Sequence, residues 1–213
     1  LKKQLDEGFM EVKRGCMIAV SAISNIGDKI LLSNGEEICY TKRKKKALRE
    51  ELQKKQELMI AKISKKKLPL TPEEYGKYYK ICDSLPFAFT DIEMVFNEEK
   101  KAVDWIFRYG NEALATLEKL PLDKMIGNSF SSLFSNMDAK WLHVYERATL
   151  YGETLEIMDY SPEIDTNLKI ICFPTFPGHC GCILFNADQM KSISEENHLV
   201  RLAAVALKSN PTI

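Results

Sequence analysis

A run of five cationic side chains, Lys42 to Lys46, carries the clearest chemistry in this sequence. Lysine and arginine side chains neutralise phosphates, and each such contact adds affinity that falls with salt and ignores base sequence. The run leads into a helix-forming segment, where the helix dipole disfavours each cation by up to about 1 kcal/mol. We interpret this unfavourable placement as a polyanion-binding surface. The alternative is a solvated helix N-terminus.

The overall charge of zero hides two oppositely charged parts of the chain. Residues 1–68 hold 17 Lys and Arg against 9 Asp and Glu, a net charge of +8, and the remaining residues carry −8. A basic segment joined to an acidic, aromatic-rich globule is typical of a polyanion-binding element tethered to a sensing or docking unit. The first part therefore points to nucleic acid and the second to regulation.

Cysteine and histidine provide few candidates for metal chemistry. The closest cluster is His179-Cys180-Gly181-Cys182, and no second Cys/His pair stands at a zinc-like spacing. We expect reduced, mostly buried cysteines that pack core strands. The six are Cys16, Cys39, Cys82, Cys172, Cys180 and Cys182.

The sequence carries no motif that indicates an enzyme. A Gly-rich phosphate loop, a nucleophile elbow and a metal-ligand array are all missing. Asp159 and Glu163 are close in sequence, but such carboxylate pairs occur commonly without chemistry. We therefore expect a non-enzyme.

The hydropathy pattern favours a cytoplasmic protein without membrane association. The longest uncharged apolar run, Cys16 to Ile26, is shorter than the roughly 18–20 residues of a spanning helix. The first residues are charged and show no apolar signal segment.

The N-terminal part predicts strands followed by a charged helix. An Asn34-Gly35 pair between two alternating segments is a strong hairpin signal, because both turn positions need positive φ. From Lys44 to about Ile63 one narrow apolar stripe predicts a helix, through Leu48, Leu52, Met59 and Ile63. The other predicted elements are a helix end at Leu1–Glu7 and extended segments at Phe9–Lys13, Cys16–Ile26, Asp28–Ser33 and Glu36–Thr41.

This order of elements resembles the C-terminal half of a LytTR-type DNA-binding domain and covers about residues 1–53. The resemblance rests on Phe9, Lys13 to Ala19, Ser33 to Glu36 and Thr41 to Lys46. It implies that two loops reach successive major grooves, with Arg14 and Arg43 on guanine edges, since a guanidinium takes O6 and N7 together. The residues implied to contact phosphates are Lys13, Lys42, Lys44 and Lys45.

A helical linker is predicted over residues 54–84. Thr71, Pro72 and Glu74 form the signature of a capping box, which starts a second helix that ends before Pro86. With the preceding helix it makes a plausible seam for a homodimer. The alternative is that both helices pack on their own chain.

The second unit alternates strands and helices in a regular order. Val103, Trp105 and Phe107 are expected on one face of a strand that returns from Phe87–Phe96. The remaining elements are helices at Asn111–Lys119, Met125–Phe134 and Met137–Leu150, and strands at Glu153–Tyr160, Leu168–Phe173 and Cys180–Phe185.

Over residues 85–188 this order resembles a PAS domain of the kind found in Firmicute signalling proteins. Its motifs here are Asn111-Glu112-Ala113, Ile126 to Phe130, Tyr160 to Glu163 and Pro177 to Cys180. The resemblance implies an α+β fold in which a five-stranded antiparallel sheet with flanking helices binds a small ligand or acts through dimer contacts. The hairpin-rich LytTR-like segment and the linker helices precede it.

No residue identifies a cofactor, and none is required by the sequence. His143 is the histidine to weigh as a haem ligand, and we expect it on the surface of its helix. An aromatic and aliphatic set is expected either to line a ligand cavity or to fill a core. Its members are Trp105, Phe107, Phe130, Phe134, Trp141, Ile171 and Phe173.

Two function hypotheses follow from the sequence. The first is a transcriptional regulator in which a PAS sensory domain controls the LytTR-like DNA-binding segment. The second is a PAS sensor or dimerisation module without DNA binding, or an input segment of a larger signalling protein. A C-terminal helix within residues 189–213 is predicted either to pack on the sheet or to pair two subunits.

Overall fold

A computed structural model describes residues 8–66, 70–98, 101–135 and 138–187 of the chain. These residues form a mixed α+β structure with sheets of two, three and five strands. The predicted helix end at residues 1–7 and the predicted C-terminal helix lie outside the described residues.

Two small antiparallel sheets form the N-terminal part. The predicted hairpin forms between Ile30–Leu32 and Glu37–Ile38, but of its two turn residues only Gly35 has positive φ, +85°, so the expected positive φ at Asn34 is wrong. The predicted extended segment Cys16–Ile26 is wrong in its middle, where a 3-10 turn at Val20–Ala22 separates two strands. The strands are β1 Phe9–Lys13, β2 Cys16–Ala19, β3 Ile23–Ile26, β4 Ile30–Leu32 and β5 Glu37–Ile38.

The first helix closes the core of this part. Helix α1 spans Lys45–Lys66 after a 3-10 turn at Lys42–Lys44. Its Leu48 packs with Met10, Val12 and other buried apolar side chains of the strands. The Nε of Arg49 donates a hydrogen bond of 2.8 Å to the carbonyl of Ile26. The helix is thereby attached to the small sheets by an apolar contact and a polar one.

The five-stranded sheet has the order β7-β6-β10-β9-β8, and every neighbouring pair is antiparallel. Its last strand in the chain, β10, lies in the middle. The strands are β6 Ala88–Phe96, β7 Ala102–Gly110, β8 Leu155–Ser161, β9 Thr166–Pro174 and β10 His179–Asn186.

Four helices cover one face of this sheet and enclose its core. Asn111 caps α3 by accepting a hydrogen bond from Leu114 N–H, and Asp138 caps α6 through Lys140 N–H. The helices are α3 Glu112–Glu118, α4 Leu122–Met125, α5 Phe130–Leu133 and α6 Ala139–Tyr151. On α6, Trp141, Tyr145 and Ala148 lie at helical spacing and face the core.

Helix α2, Pro72–Tyr78, packs on the other face of the sheet. Thr71 and Glu74 form the predicted capping box. Tyr75 and Tyr79 are buried against Phe89 and other aromatic side chains of the sheet. Helix α1 also packs within the chain, so among the described residues both linker helices have intrachain partners.

One prediction about strand β7 is wrong. Val103 is 43% exposed, whereas Trp105 and Phe107 are buried. The pairing of β6 with β7 shifts between Val95 and Phe96, which leaves Val103 in a bulge. A bulge interrupts the period of two that places alternate side chains on one face.

Candidate nucleic-acid interface and ligand cavity

The cationic turn before α1 is exposed to solvent. Lys42, Arg43 and Lys44 form the 3-10 turn, and all three side chains are exposed. In the described part of the chain, none of the three has an ion pair or hydrogen-bonded partner for its charged group. Lys42 and Arg43 line a shallow concave surface together with residues from the start of α1, namely Lys45, Lys46, Arg49, Glu50 and Gln53.

Some cations at this surface are already paired. The Nζ of Lys45 lies 3.3 Å from Asp28, and that of Lys46 lies 3.9 Å from Glu50. Exposed pairs of this kind contribute about 0–1 kcal/mol, so a phosphate can replace the carboxylate at little cost. Arg49 differs, because its bond to the Ile26 carbonyl gives it a structural role.

Lys13 and Arg14 lie at a different turn, between β1 and β2. Both are exposed, and Arg14 has no ion pair within the described residues. Gly15 N–H donates to the Glu11 carboxylate at 3.2 Å, which holds the turn that displays them. The predicted base-contacting arginines thus lie on two separate turns, and neither guanidinium is paired with any residue that the structure describes.

A cavity of ≈ 40 Å³ lies between the five-stranded sheet and its helices. The buried ring of Trp105 contacts those of Phe130 and Tyr145, with centroid distances of 4.4 Å and 5.2 Å. Four of the predicted aromatic residues line it, namely Trp105, Phe107, Phe130 and Trp141. One water molecule requires about 10–15 Å³ of such a cavity volume. The cavity therefore has room for a few non-hydrogen atoms.

Three other predicted lining residues lie elsewhere. Ile171 and Phe173 alternate with Ile170 and Cys172 along β9, and it is the latter two that are buried in the core facing the helices. Phe173 packs instead with Phe89 on the opposite face, so the expectation that Ile171 and Phe173 line the cavity is corrected. Phe134 stacks on Phe130 outside the described lining, with ring centroids 4.7 Å apart.

Sequence reasoning missed the acidic groups of the cavity. Glu118 ends α3 and Glu163 lies between β8 and β9, and both line it. Burial and the nearby Glu163 raise the pKa of Glu118 from 4.5 to about 7. Ser161 Oγ donates to Glu163 Oε2 at 2.6 Å, while the buried Oε1 accepts no hydrogen bond from any described residue. The sequence signal at Glu163 was its proximity to Asp159, which instead pairs with Lys140 at 3.0 Å.

The His179 cluster has a structural arrangement. His179 Nδ1 lies 2.6 Å from Asp91 Oδ1, and the two side chains are buried. The sulfurs of Cys180 and Cys182 are 3.8 Å apart in the core, where burial raises the pKa of the Cys182 thiol. Within the described ranges no group of three or more His, Cys, Asp or Glu side chains has the arrangement of a metal site.

Two further observations concern a cofactor and a membrane. His143 is exposed on α6, away from the residues that line the cavity. Among the helices of the described residues, none combines the length and the apolar character needed to cross a bilayer.

No protein-family model matches the chain, and no curated protein matches it.

Proposed function

We propose that this protein is a signal-responsive transcriptional regulator, in which a PAS-like unit at residues 85–188 controls DNA binding by a LytTR-like segment at residues 1–53. The five-stranded antiparallel sheet with a helical layer and a cavity supports the first assignment. The exposed arginines at the hairpin and at the cationic turn, unpaired among the described residues, support the second.

The observation that carries the proposal is the contact between α1 and α6. Helix α1 begins directly after the cationic turn and packs against α6, which contributes Trp141 and Tyr145 to the cavity wall. Near its middle, Gln56 Nε2 donates to Tyr151 Oη at 3.4 Å, and Tyr151 packs against the N-terminal core. A ligand that moves α6 would therefore act on the helix that presents the basic surface.

The contact places the helix of the basic surface directly against a helix of the cavity wall, and packed helices of this kind can carry coupling between two sites. The homodimer expected from the linker and terminal helices belongs to the same proposal. Sedimentation of the full chain over a concentration series tests whether the homodimer forms. A monomer at all concentrations would contradict the homodimer.

A mobility-shift titration over a salt series tests DNA binding. We expect affinity to fall steeply with salt, and Lys42→Ala to lower the slope of log K against log salt by about 1. Arg43→Ala and Arg14→Ala should weaken binding to a preferred sequence by roughly tenfold or more, because each removes a bidentate base contact. Lys124→Ala is the charge-matched control, since Lys124 is exposed on α4, outside the proposed surface.

One outcome would contradict this function, and another would contradict the proposed DNA-binding surface. Absence of binding at low salt would favour the PAS sensor or dimerisation module without DNA. Equal affinity for the Arg43→Ala and Lys124→Ala variants would show that DNA binds, but away from the cationic turn.

A further inference from the structure

We infer that the cavity between the sheet and α6 binds a small primary alkylammonium ion, with its charged head between Glu118 and Glu163 and its alkyl tail among the aromatic rings. This inference rests on the proposed role of the cavity as the signal-binding site, and it names the chemical class of the signal. Charge, an unpartnered acceptor, the shape of the lining and the cavity volume support it.

The lining is negatively charged and has no compensating cation. Glu118 and Glu163 are its only acidic members, and no lysine, arginine or histidine is among the described residues that line it. A carboxylate removed from water is costly unless a counter-charge or donors replace its hydration. Protonation of Glu118 relieves part of this cost, and a cation bound between the two carboxylates would relieve the rest, so a positively charged ligand is favoured over an anionic one.

One carboxylate oxygen is left without a donor. Glu163 Oε2 accepts from Ser161 Oγ at 2.6 Å, which orients the carboxylate. Its Oε1 is buried and accepts no hydrogen bond from the described residues. Buried acceptors in native proteins are nearly always satisfied. An ammonium group has three N–H donors and supplies what this oxygen lacks.

The two carboxylates of the lining are more exposed than its aromatic rings. Glu118 and Glu163 are partly exposed, whereas Trp105, Trp141 and Tyr145 are at most 5% exposed. A ligand with a charged head and a short apolar tail matches this gradient. The aromatic rings also attract the partly positive methylene groups next to an ammonium.

The volume limits the size of the ligand. A cavity of ≈ 40 Å³ accepts a few non-hydrogen atoms, which fits methyl-, ethyl- or propylammonium rather than a nucleotide or a flavin. The ligand class is therefore short monoamines.

The protonation of Glu118 makes binding depend on pH. The carboxyl is half-protonated near pH 7, because burial and the charge of Glu163 raise its pKa. The other titratable groups that line the cavity are Glu163, Tyr145 and Cys182, and burial keeps the last two protonated in this range. Alkylammonium affinity should therefore increase between pH 6 and pH 8.

Intrinsic fluorescence tests the inference directly, because the two tryptophans of the chain, Trp105 and Trp141, both line the cavity. The full chain is titrated with methyl-, ethyl- and propylammonium chloride at constant ionic strength. Matched neutral and anionic probes are propanol and propionate. We expect a saturable fluorescence change and a rise in Tm with the amines only.

Two variants examine the carboxylates. Glu118→Gln and Glu163→Gln should each weaken amine binding at pH 8 at least tenfold, and Glu118→Gln should also remove the increase between pH 6 and pH 8. Glu118→Gln is expected to fold well, since it removes a charge that burial already disfavours. The matched control is Glu112→Gln, at an exposed position of the same helix.

The outcomes separate the two proposals. Saturable binding of propanol or propionate, or undiminished amine binding by both variants, would overturn the cationic ligand class and leave a ligand-binding sensor in place. No response to any probe would overturn the amine inference, while the DNA titration would still decide the regulator function.

Discussion

His179 and Asp91, 88 residues apart in the chain, join β10 to β6 by a contact of 2.6 Å between Nδ1 and Oδ1. Asp91 also accepts hydrogen bonds from Tyr79 at 2.7 Å and from Thr175 at 2.5 Å. Its carboxylate is therefore satisfied from three sides, although it is fully buried. Tyr79 follows the last residue of α2, so this buried network attaches the linker helix to the sheet.

Tyr79→Phe should lower the free energy of unfolding by about 1–3 kcal/mol, because it removes a donor from a buried carboxylate. Urea denaturation measures this loss. Tyr78→Phe is the matched control, since Tyr78 is 66% exposed and should change stability by less than about 0.5 kcal/mol. Equal effects of the two substitutions would mean that the Asp91 network does not stabilise the docked helix.

Gly181→Ala should destabilise the five-stranded sheet by about 1–3 kcal/mol. A Cβ at this position would lie 2.8 Å from Thr175 Cγ2 and 2.9 Å from Phe173 Cε2, closer than side chains pack. Gly76→Ala is the control within α2, where nothing lies within 4 Å of the added carbon. It should raise stability by up to about 1 kcal/mol through helix propensity. Thermal unfolding distinguishes the opposite signs, and a neutral Gly181→Ala would contradict the close packing.

Leu48→Ala should cost about 2–4 kcal/mol by opening a cavity in the N-terminal core. Leu48 is 3% exposed, whereas Leu58 on the same helix is 43% exposed. Leu58→Ala should therefore have a small effect. Chemical denaturation compares the two variants, and DNA affinity should fall for Leu48→Ala alone, because α1 positions the cationic turn. If Leu48→Ala leaves the DNA affinity unchanged, α1 does not position the cationic turn for DNA binding.

Glu118 should make stability fall as pH rises from about 4.5 to about 7. The pKa of Glu118 in the folded protein, about 7, lies above the ordinary 4.5, so the folded protein binds the proton more tightly than the unfolded chain does. This contribution to the free energy of unfolding is lost as the pH rises through that range and the carboxyl ionises. Above pH 7 the contribution is constant. Glu118→Gln should then stabilise the protein by about 1–3 kcal/mol at pH 8 and change little at pH 4.

Unfolding measured across this pH range checks the prediction, with Glu112→Gln as the exposed control. The free energies of unfolding of Glu118→Gln and of the unmodified protein are compared at each pH. If their difference does not vary with pH, Glu118 titrates normally.

Local features could be predicted from the sequence because neighbouring residues decide them. The Asn34-Gly35 turn, the capping box of Thr71 and Glu74, and the boundaries of β6 depend on backbone preference and short-range hydrogen bonds. The exposure of Arg14 and Arg43 at turns belongs to the same class.

Which face of β9 meets the helices could not be predicted in this way. Alternation separates Ile170 and Cys172 from Ile171 and Phe173, but both sets are apolar. The choice depends on α6 covering one face and α2 the other. The expected lining residues Ile171 and Phe173 were wrong for this reason.

The sequence by itself determined several local elements, such as the Asn34-Gly35 hairpin and the cap of α2, and that positive charge concentrates before residue 69. Only the tertiary structure decided that Glu118 and Glu163 share a cavity and that Asp91 meets His179. The physical reason is that these pairs depend on β10 lying between β6 and β9 and on the helices packing against the sheet. Such long-range contacts follow from the packing of the whole core, which no short segment specifies.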